Sequence, residues 1–244
     1  MSKNKHFLTP DWPAPANVHA ATTLRTGGVS SGVYASLNPA EHVQDDPESV
    51  LENRRLLKTM LNLPAEPVWL EQIHSNIAVN AATVQGVPQA DAAYTIKPGV
   101  VCTVMTADCL PLLVCDSLGA QVAAIHAGWR GLLAGVITNT INAMQPADFL
   151  VWLGPAIGPQ CFEVGAEVRQ AFVNKSADFS NAFSLQTNDK WLADIYRLAR
   201  IELAALGIGN VYGGNLCTVT EPGRFYSYRR DQQTGRMATL IWRD

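Results

Sequence analysis

Reactive side chains stand beside glycine or small residues in three segments of the sequence. These segments contain His74, Cys109 and His126, and Asp108 directly precedes the cysteine. Two histidines and one cysteine can make a three-ligand set for zinc, with a fourth position left open for water. Zinc lowers the pKa of that water into the working range, and a coordinated cysteine binds as its thiolate. The residue types therefore fit a catalytic zinc site.

The same residues also fit a reaction without metal. Cys109 could be a nucleophile with His126 as its base, and Asp108 or another group could orient the imidazole. The sequence has neither an HExxH nor a CxxC motif, so the spacing alone is a weak metal signal. A single cysteine after a strand is commonly small apolar packing. The residues by themselves leave these interpretations open.

Apolar runs lead to two of the three reactive residues. His126 ends the run Gln121–His126 before a glycine-containing turn, and Cys109 follows the run Val100–Thr106. Near-continuous apolar runs of this length are typical of strands that are buried on both faces. The separation of 17 residues from Cys109 to His126 permits a strand, a turn and a returning strand. We therefore expect two neighbouring strands to bring these residues together, with His74 coming from elsewhere in the sheet.

Strands and helices alternate along the chain. Strands are predicted over Val18–Leu24, Asn76–Val84, Val100–Thr106, Gln121–His126, Leu150–Leu153, Asn210–Tyr212, Phe225–Tyr228 and Met237–Trp242. Helices are predicted after the Asp46 cap, from Gly131 to about Met144, from near Glu163 through Phe172, and over Trp191–Leu206. This order predicts an α/β (α+β) fold of layered mixed β-sheets flanked by helices, in a single domain over residues 1–244.

The composition excludes several classes of protein. Of the 244 residues 48% are hydrophobic, 16% are charged, and the net charge is −3. The chain is too apolar for intrinsic disorder, and it lacks the basic excess of a nucleic-acid partner. No apolar run approaches a membrane span, and the polar N-terminus lacks a secretory signal, so we expect a cytoplasmic protein. Five cysteines without a CxxC make structural disulfides unexpected. The oligomeric state is not indicated.

The motifs around the reactive residues resemble those of the YfiH family, which is also labelled laccase-domain or "multicopper polyphenol oxidoreductase". The resemblance covers almost the whole chain, in order. The similar segments are Arg25–Ser30, Ser36–Asn38, Pro67–His74, Thr106–Pro111, His126–Gly131, Leu153–Gly158 and Phe225–Asp231. Two positions depart from the pattern: Gln44 stands where glycine is expected, and Cys161 matches no family requirement, so that we expect Cys161 to be structural.

The resemblance implies a fold, a site and a set of activities. The fold would be like the catalytic domain of cytotoxic necrotising factor, and the zinc ligands would be His74, Cys109 and His126. Family members are similar to enzymes that phosphorolyse adenosine, inosine, guanosine and methylthioadenosine, and that deaminate adenosine. Some bacterial members are linked instead to peptidoglycan-precursor editing, as amidases that remove L-Ser from the UDP-muramyl nucleotide.

The inventory of histidines bears on the laccase label. Four-copper oxidases need many histidines, commonly as His-X-His pairs, and this chain has five histidines and no such pair. A copper-dependent polyphenol oxidase is therefore the least favoured alternative. Copper at the predicted zinc site stays open, because Cu²⁺ binds such donors more tightly than Zn²⁺.

A nucleoside phosphorylase also needs a cationic cradle for phosphate. Arg25, beside two glycines, is the first choice for phosphate or ribose contact, because glycines let backbone N–H groups approach an anion. Arg54 and Arg130 are the further candidates. Asp108 is either an acid/base or the cap of a strand end.

Overall fold

The computed structural model describes residues 6–187 and 189–244. Most of the polar N-terminal segment on which the prediction about a secretory signal depends lies outside these residues. The described strands are β1 (Phe7–Leu8), β2 (Val18–Thr23), β3 (Ala78–Asn80), β4 (Ala92–Thr95), β5 (Cys102–Thr106), β6 (Leu110–Asp116), β7 (Val122–Ala127), β8 (Phe149–Leu153), β9 (Glu163–Val164), β10 (Phe183–Leu185), β11 (Trp191–Ala193), β12 (Asn210–Gly213) and β13 (Met237–Arg243). The α-helices are α1 (Pro47–Met60), α2 (Trp129–Ala134), α3 (Val136–Ala143), α4 (Ala166–Lys175), α5 (Ile195–Ala205) and α6 (Tyr228–Asp231).

The strands form three sheets. A six-stranded mixed sheet has the order β12-β8-β6-β7-β4-β3, in which only the two outer pairs, β12–β8 and β3–β4, are parallel. A four-stranded antiparallel sheet has the order β1-β2-β13-β5. The third sheet, β10-β11-β9, is short and antiparallel. The α/β fold class with layered mixed sheets is thereby confirmed.

Apolar residues on both faces of the six-stranded sheet explain the layering. On strand β6, Leu112 and Val114 face a core shared with helices α2 to α5, whereas Leu113 and Cys115 face a core shared with the four-stranded sheet. This alternation is the period-two geometry of a strand. Helix α1 covers the outer face of the four-stranded sheet through Leu57. The central strands are consequently sealed from water, and their ends form the rigid edge that carries the reactive residues.

Four sequence predictions of elements need correction. The single helix predicted from Gly131 to about Met144 is two helices, α2 and α3, which are separated at Gly135, where φ is 86°. The other three corrections concern short apolar runs. The run Phe225–Tyr228 is not a strand: Phe225 and Tyr226 are fully buried in a loop that leads into α6. Strand β11 replaces the start of the predicted last helix, which begins instead after its Asp194 cap. Likewise β9 occupies the predicted start of helix α4. In each case a short apolar run was compatible with more than one element.

The loop before α1 keeps a conformation that favours glycine. Gln44 has a φ of 69°, in the left-handed region, and this is the position where the family pattern leads us to expect glycine. Left-handed backbone is uncommon for residues with a Cβ. Gln44 therefore adopts a conformation in which glycine would be less strained.

Among the described residues, no helix is both long and apolar enough to cross a bilayer.

Candidate metal centre

An antiparallel hairpin brings Cys109 and His126 to the same sheet edge. Strands β6 and β7 pair with Leu110 opposite Ala127 and Pro111 opposite His126. Cys109 immediately precedes this ladder. The sequence prediction of two neighbouring strands is correct in outcome, but the partner strand is β6 and not the run before Cys109. That run is β5, which belongs to the four-stranded sheet.

His74 reaches the same place from a loop, not from a strand as expected. Its backbone has a φ of 60°, a left-handed conformation that costs free energy in a residue with a Cβ and that clusters at functional sites. The Asp91 carboxylate stabilises this loop. It accepts hydrogen bonds from the His74 backbone N–H at 3.1 Å, from the Ser75 N–H at 2.5 Å and from the Ser75 hydroxyl at 2.7 Å.

The three side chains fit a metal ion. Cys109 Sγ lies 3.7 Å from His74 Nε2, and one ligand atom from each of His74, Cys109 and His126 lies within 4.8 Å of the others. Tetrahedral bonds of 2.0–2.3 Å to zinc place a nitrogen and a sulfur ligand about 3.6 Å apart. No other group of three such side chains with this proximity occurs in the part of the chain that the structure describes. A soft sulfur donor with two imidazoles suits zinc or copper.

Asp91 connects two of the three ligands. Its Oδ1 lies 2.7 Å from His126 Nδ1, and its backbone carbonyl accepts the His126 N–H at 2.7 Å. The Asp91 side chain is fully buried. This contact orients the ring so that Nε2 is available to a metal, which is the usual arrangement for a metal-binding histidine. The sequence analysis missed Asp91, although a carboxylate in the alanine-rich buried segment Ala90–Ala93 is a signal of a special role.

The cluster is electrostatically coupled. Burial disfavours the thiolate of Cys109, but the adjacent His126 and His74 outweigh burial and lower the pKa of Cys109. Burial likewise opposes a charge on His126, but the Cys109 sulfur and the Asp91 carboxylate raise the pKa of His126. Both shifts favour a Cys109 thiolate beside a protonated His126 when no metal is bound. A thiolate is also the form that binds zinc.

Gly128 leaves room for the cluster. A Cβ at this position would lie 2.8 Å from His74 Cδ2, closer than such atoms approach, and 3.0 Å from Cys109 Sγ, which is an unusually tight contact. The φ of Gly128 is −64°, so any residue could adopt its backbone. Glycine is required here by the close approach of two ligands.

The cluster lies in a cavity of about 480 Å³, within the size range of small-ligand sites. Apolar and aromatic side chains line part of it: Trp129, Ile157, Phe162, Ile195 and Tyr228. Polar and cationic side chains line the rest: His42, Gln72, Arg130, Arg229 and Arg236. The cavity can therefore hold a ligand with a flat apolar part and an anionic part.

The predicted phosphate-binding arginines divide into two groups. Arg130 lines the cavity and lies over the Trp129 ring at 4.5 Å. Arg25 does not line it: its guanidinium donates to Ala35 O and Pro222 O and lies over Tyr226.

Arg54 is also outside the cavity lining. It donates to Pro39 O, pairs with Glu41 at 2.7 Å and lies over Trp69. Sequence analysis did not single out the cationic Arg229 and Arg236. Arg229 lies within the Phe225–Asp231 motif, which could have indicated it, whereas Arg236 carried no such signal.

Asp108 borders the cavity but both its carboxylate oxygens are engaged. Oδ1 accepts from the Thr218 hydroxyl at 2.5 Å, and Oδ2 accepts from the Arg229 backbone N–H at 2.6 Å. Its φ of 86° is again left-handed. These contacts favour the alternative in which Asp108 is the cap of a strand end. In that role Asp108 attaches the segment that contains Arg229 to the edge of the sheet.

Comparison with known proteins assigns the chain to a family. Residues 19–244 match the family model described as multi-copper polyphenol oxidoreductase laccase. The chain belongs to this YfiH, or laccase-domain, family.

Members of the laccase-domain family resemble the chain over nearly its full length. A purine nucleoside phosphorylase of Pseudomonas aeruginosa is 54% identical and covers 97% of this chain and 98% of its own. The purine nucleoside phosphorylase YfiH of Escherichia coli is 52% identical, with 99% of both chains covered. A crystal structure of a Neisseria meningitidis protein superposes with a TM-score of 0.95 at 52% identity, over 98% of this chain and 100% of that one.

Proposed function

We propose that the chain is a zinc-dependent purine nucleoside phosphorylase. It would convert adenosine, inosine, guanosine and methylthioadenosine, with phosphate, to the free base and the ribose 1-phosphate product. The observation that carries this proposal is the cluster of His74, Cys109 and His126 in a cavity that arginines also line. The names of the relatives support the same reaction class.

The reaction assigns different tasks to the two sides of the cavity. A phosphate oxygen attacks C1′ of the ribose, the C1′–N9 bond breaks, and the departing purine takes up a proton. Guanidinium groups bind phosphate through paired N–H donors, so Arg130, Arg229 and Arg236 are the proposed phosphate contacts. Aromatic side chains such as Trp129 and Phe162 offer faces against which a purine ring stacks.

The cluster itself is proposed to bind zinc through His74, Cys109 and His126. When bound, zinc supplies a Lewis acid at the open coordination position. The protein's own contribution is orientation: Asp91 fixes the His126 ring and the His74 loop, and Asp108 fixes the backbone of Arg229. Arg25 and Arg54, expected at phosphate, are proposed instead to stabilise the loops that they bridge.

Deamination of adenosine to inosine is proposed as a second reaction of the same site. In this reaction water replaces phosphate as the nucleophile and attacks C6 of the purine, and the amino group leaves as ammonia. The three-ligand set, which leaves one position open, favours it.

The amidase alternative rests on a different observation. The lowered pKa of Cys109 beside His126 is what a cysteine nucleophile needs. Such a site could attack the amide of a UDP-muramyl nucleotide that carries L-Ser.

Product analysis separates these functions. The metal-replete protein is incubated with adenosine with and without phosphate, and in parallel with the muramyl L-Ser nucleotide. We expect adenine only with phosphate and inosine in both conditions. Release of L-Ser without any purine product would replace the phosphorylase proposal by the amidase alternative.

A further inference from the structure

Two cysteines outside the metal centre face each other. The Sγ atoms of Cys161 and Cys217 lie 3.9 Å apart, although 56 positions separate them in sequence. Both residues are free and partly exposed. The sequence analysis regarded Cys161 as structural and did not pair it with any other thiol.

Backbone contacts hold the two cysteine segments side by side. A parallel bridge joins Ala156 and Cys217, and the Thr218 N–H donates to Ala156 O at 3.0 Å. A turn then returns the chain so that the Cys161 N–H donates to Gly158 O at 2.9 Å. The backbone contacts therefore hold the two cysteines close together, so that the proximity of their sulfur atoms does not depend on side-chain rotamers alone.

The pKa values of the two thiols shift in opposite directions. Burial would raise the pKa of Cys217, but hydrogen bonds from Thr220, Gly158 and Val219 outweigh it and lower this pKa. The Gly158 N–H, for example, lies 3.3 Å from Cys217 Sγ. Cys161 has a raised pKa, because of burial and because of the neighbouring Cys217.

This asymmetry separates the roles of the two cysteines. A partly exposed cysteine with a lowered pKa next to a second thiol is the arrangement found in redox-sensitive pairs. By contrast, the core residues Cys102 and Cys115 are fully buried, and burial raises the pKa of both.

We propose that Cys161 and Cys217 form a reversible intramolecular disulfide when the protein meets a peroxide. The Cys217 thiolate attacks one oxygen of hydrogen peroxide, the O–O bond breaks, and hydroxide leaves and is protonated to water. The resulting Cys217 sulfenic acid is attacked by the Cys161 sulfur, the S–O bond breaks and a second water leaves. The two thiols are oxidised by two electrons in total, and the peroxide is reduced to two waters. A dithiol reverses the reaction by exchange.

The geometry requires only a small movement. A disulfide bond is about 2.05 Å long, so the sulfurs at 3.9 Å must approach by ~2 Å. The same segments support the cavity wall: Cys161 O accepts from Arg229 Nη1 at 3.2 Å, and Thr218, next to Cys217, contacts Asp108. The bond would thus form directly behind residues that border the cavity. The proposal concerns these two thiols and does not depend on which reaction the metal centre carries out.

Peptide mapping of the full-length, metal-replete protein tests the proposal. The protein is treated with an equimolar to tenfold amount of hydrogen peroxide, blocked with N-ethylmaleimide and digested without reductant. We expect the peptides of Cys161 and Cys217 to be joined and lighter by two hydrogen atoms, and to separate again after dithiothreitol. Cys115→Ser is the matched control and should form the same cross-link.

Single variants test the order of the steps. In Cys161→Ser, Cys217 should accumulate a sulfenic acid that dimedone labels. In Cys217→Ser, Cys161 should stay reduced at the same peroxide dose. The proposal is overturned if both thiols of the wild-type protein remain free for N-ethylmaleimide after peroxide, or if they join only to cysteines of other molecules. Labelling of Cys161 instead of Cys217 would overturn the assigned roles.

Discussion

Asp91 and His126 form the contact on which the geometry of the metal centre depends: a buried carboxylate oxygen lies 2.7 Å from the ring Nδ1. The same carboxylate also accepts the backbone N–H of His74. One side chain therefore positions two of the three ligands. It also stabilises the strained, left-handed backbone of His74.

Asp91→Asn should weaken zinc binding by about 10- to 100-fold, the usual effect of losing a partner that orients a ligand. The asparagine amide keeps the shape of the carboxylate but not its charge. Its NH2 group donates hydrogen bonds at a position where the Asp91 oxygen accepts them. Chelator competition measures the affinity. The exposed Asp148→Asn serves as the matched control and should leave zinc affinity unchanged. Equal affinities in the two variants would contradict the positioning role of Asp91.

Gly128→Ala should disturb the metal centre while the protein still folds. The added Cβ meets His74 and Cys109 at 2.8 and 3.0 Å, so that the two ligands must move apart. We expect at least about tenfold weaker zinc binding, because ligand geometry sets affinity. The comparison variant is Gly209→Ala, which meets no atom within 4 Å. Zinc content and melting temperature are measured for both, and a normal zinc affinity in Gly128→Ala would show that the close approach is unimportant.

The sequence could indicate the ligands but not what orients them. Cys109 and His126 stand out because each is a reactive residue at the end of an apolar run, beside small residues. Asp91 gave only a weaker signal, as a carboxylate in an alanine-rich run, because its role comes from contacts 16, 17 and 35 positions away, and local patterns do not encode such contacts. Strand β6 was not predicted, because its apolar run begins directly after Cys109 and contains Pro111. Proline is uncommon in central strands.

The helix boundaries show the same limit. The apolar spacing around Trp191 continues without a break into α5, so that periodicity alone could not separate strand β11 from the helix. The Asp194 side chain, which accepts from the Arg197 N–H at 3.0 Å, marks the true start. Capping residues were thus the better signal for where a helix begins, whereas periodicity indicated only that an apolar element exists.

Arg130→Ala should raise the KM for phosphate about tenfold, a loss of ~1.4 kcal/mol, which is typical of one charged hydrogen bond. Phosphate-independent formation of inosine should change little. Arg55→Ala is the control, since Arg55 is exposed and pairs with Glu52 on the same helix, α1. Steady-state kinetics with varied phosphate measures the effect. A rise in the KM for adenosine without any rise in the KM for phosphate would indicate that Arg130 contacts the nucleoside and not phosphate.

His126→Ala should depress phosphorolysis and deamination together, by roughly 10²-fold or more if the metal supplies several kcal/mol. The reason is that both proposed reactions share the same cluster. His19→Ala is the matched control, because His19 lies near the C-terminus and contacts Asp244. Circular dichroism and zinc content accompany the two assays. Loss of one reaction with the other intact would require a second site.

Metal removal should expose Cys109 to alkylation at neutral pH. In the metal-free protein, His126 and His74 lower the pKa of Cys109, so its reactive thiolate is already present at a pH where an ordinary thiol is protonated. The rate of reaction with iodoacetamide should therefore reach its plateau at a lower pH than that of a free thiol such as glutathione.

Added zinc should then protect Cys109, since the thiolate becomes a ligand. Peptide mapping separates Cys109 from Cys217, and the buried Cys115, whose pKa burial raises to about 12, should stay unlabelled throughout as the internal control. Two results would argue against this arrangement of ligands. One is a rate of Cys109 alkylation that still increases with pH beyond the usual thiol pKa of ~8.5. The other is labelling of Cys109 that zinc does not reduce.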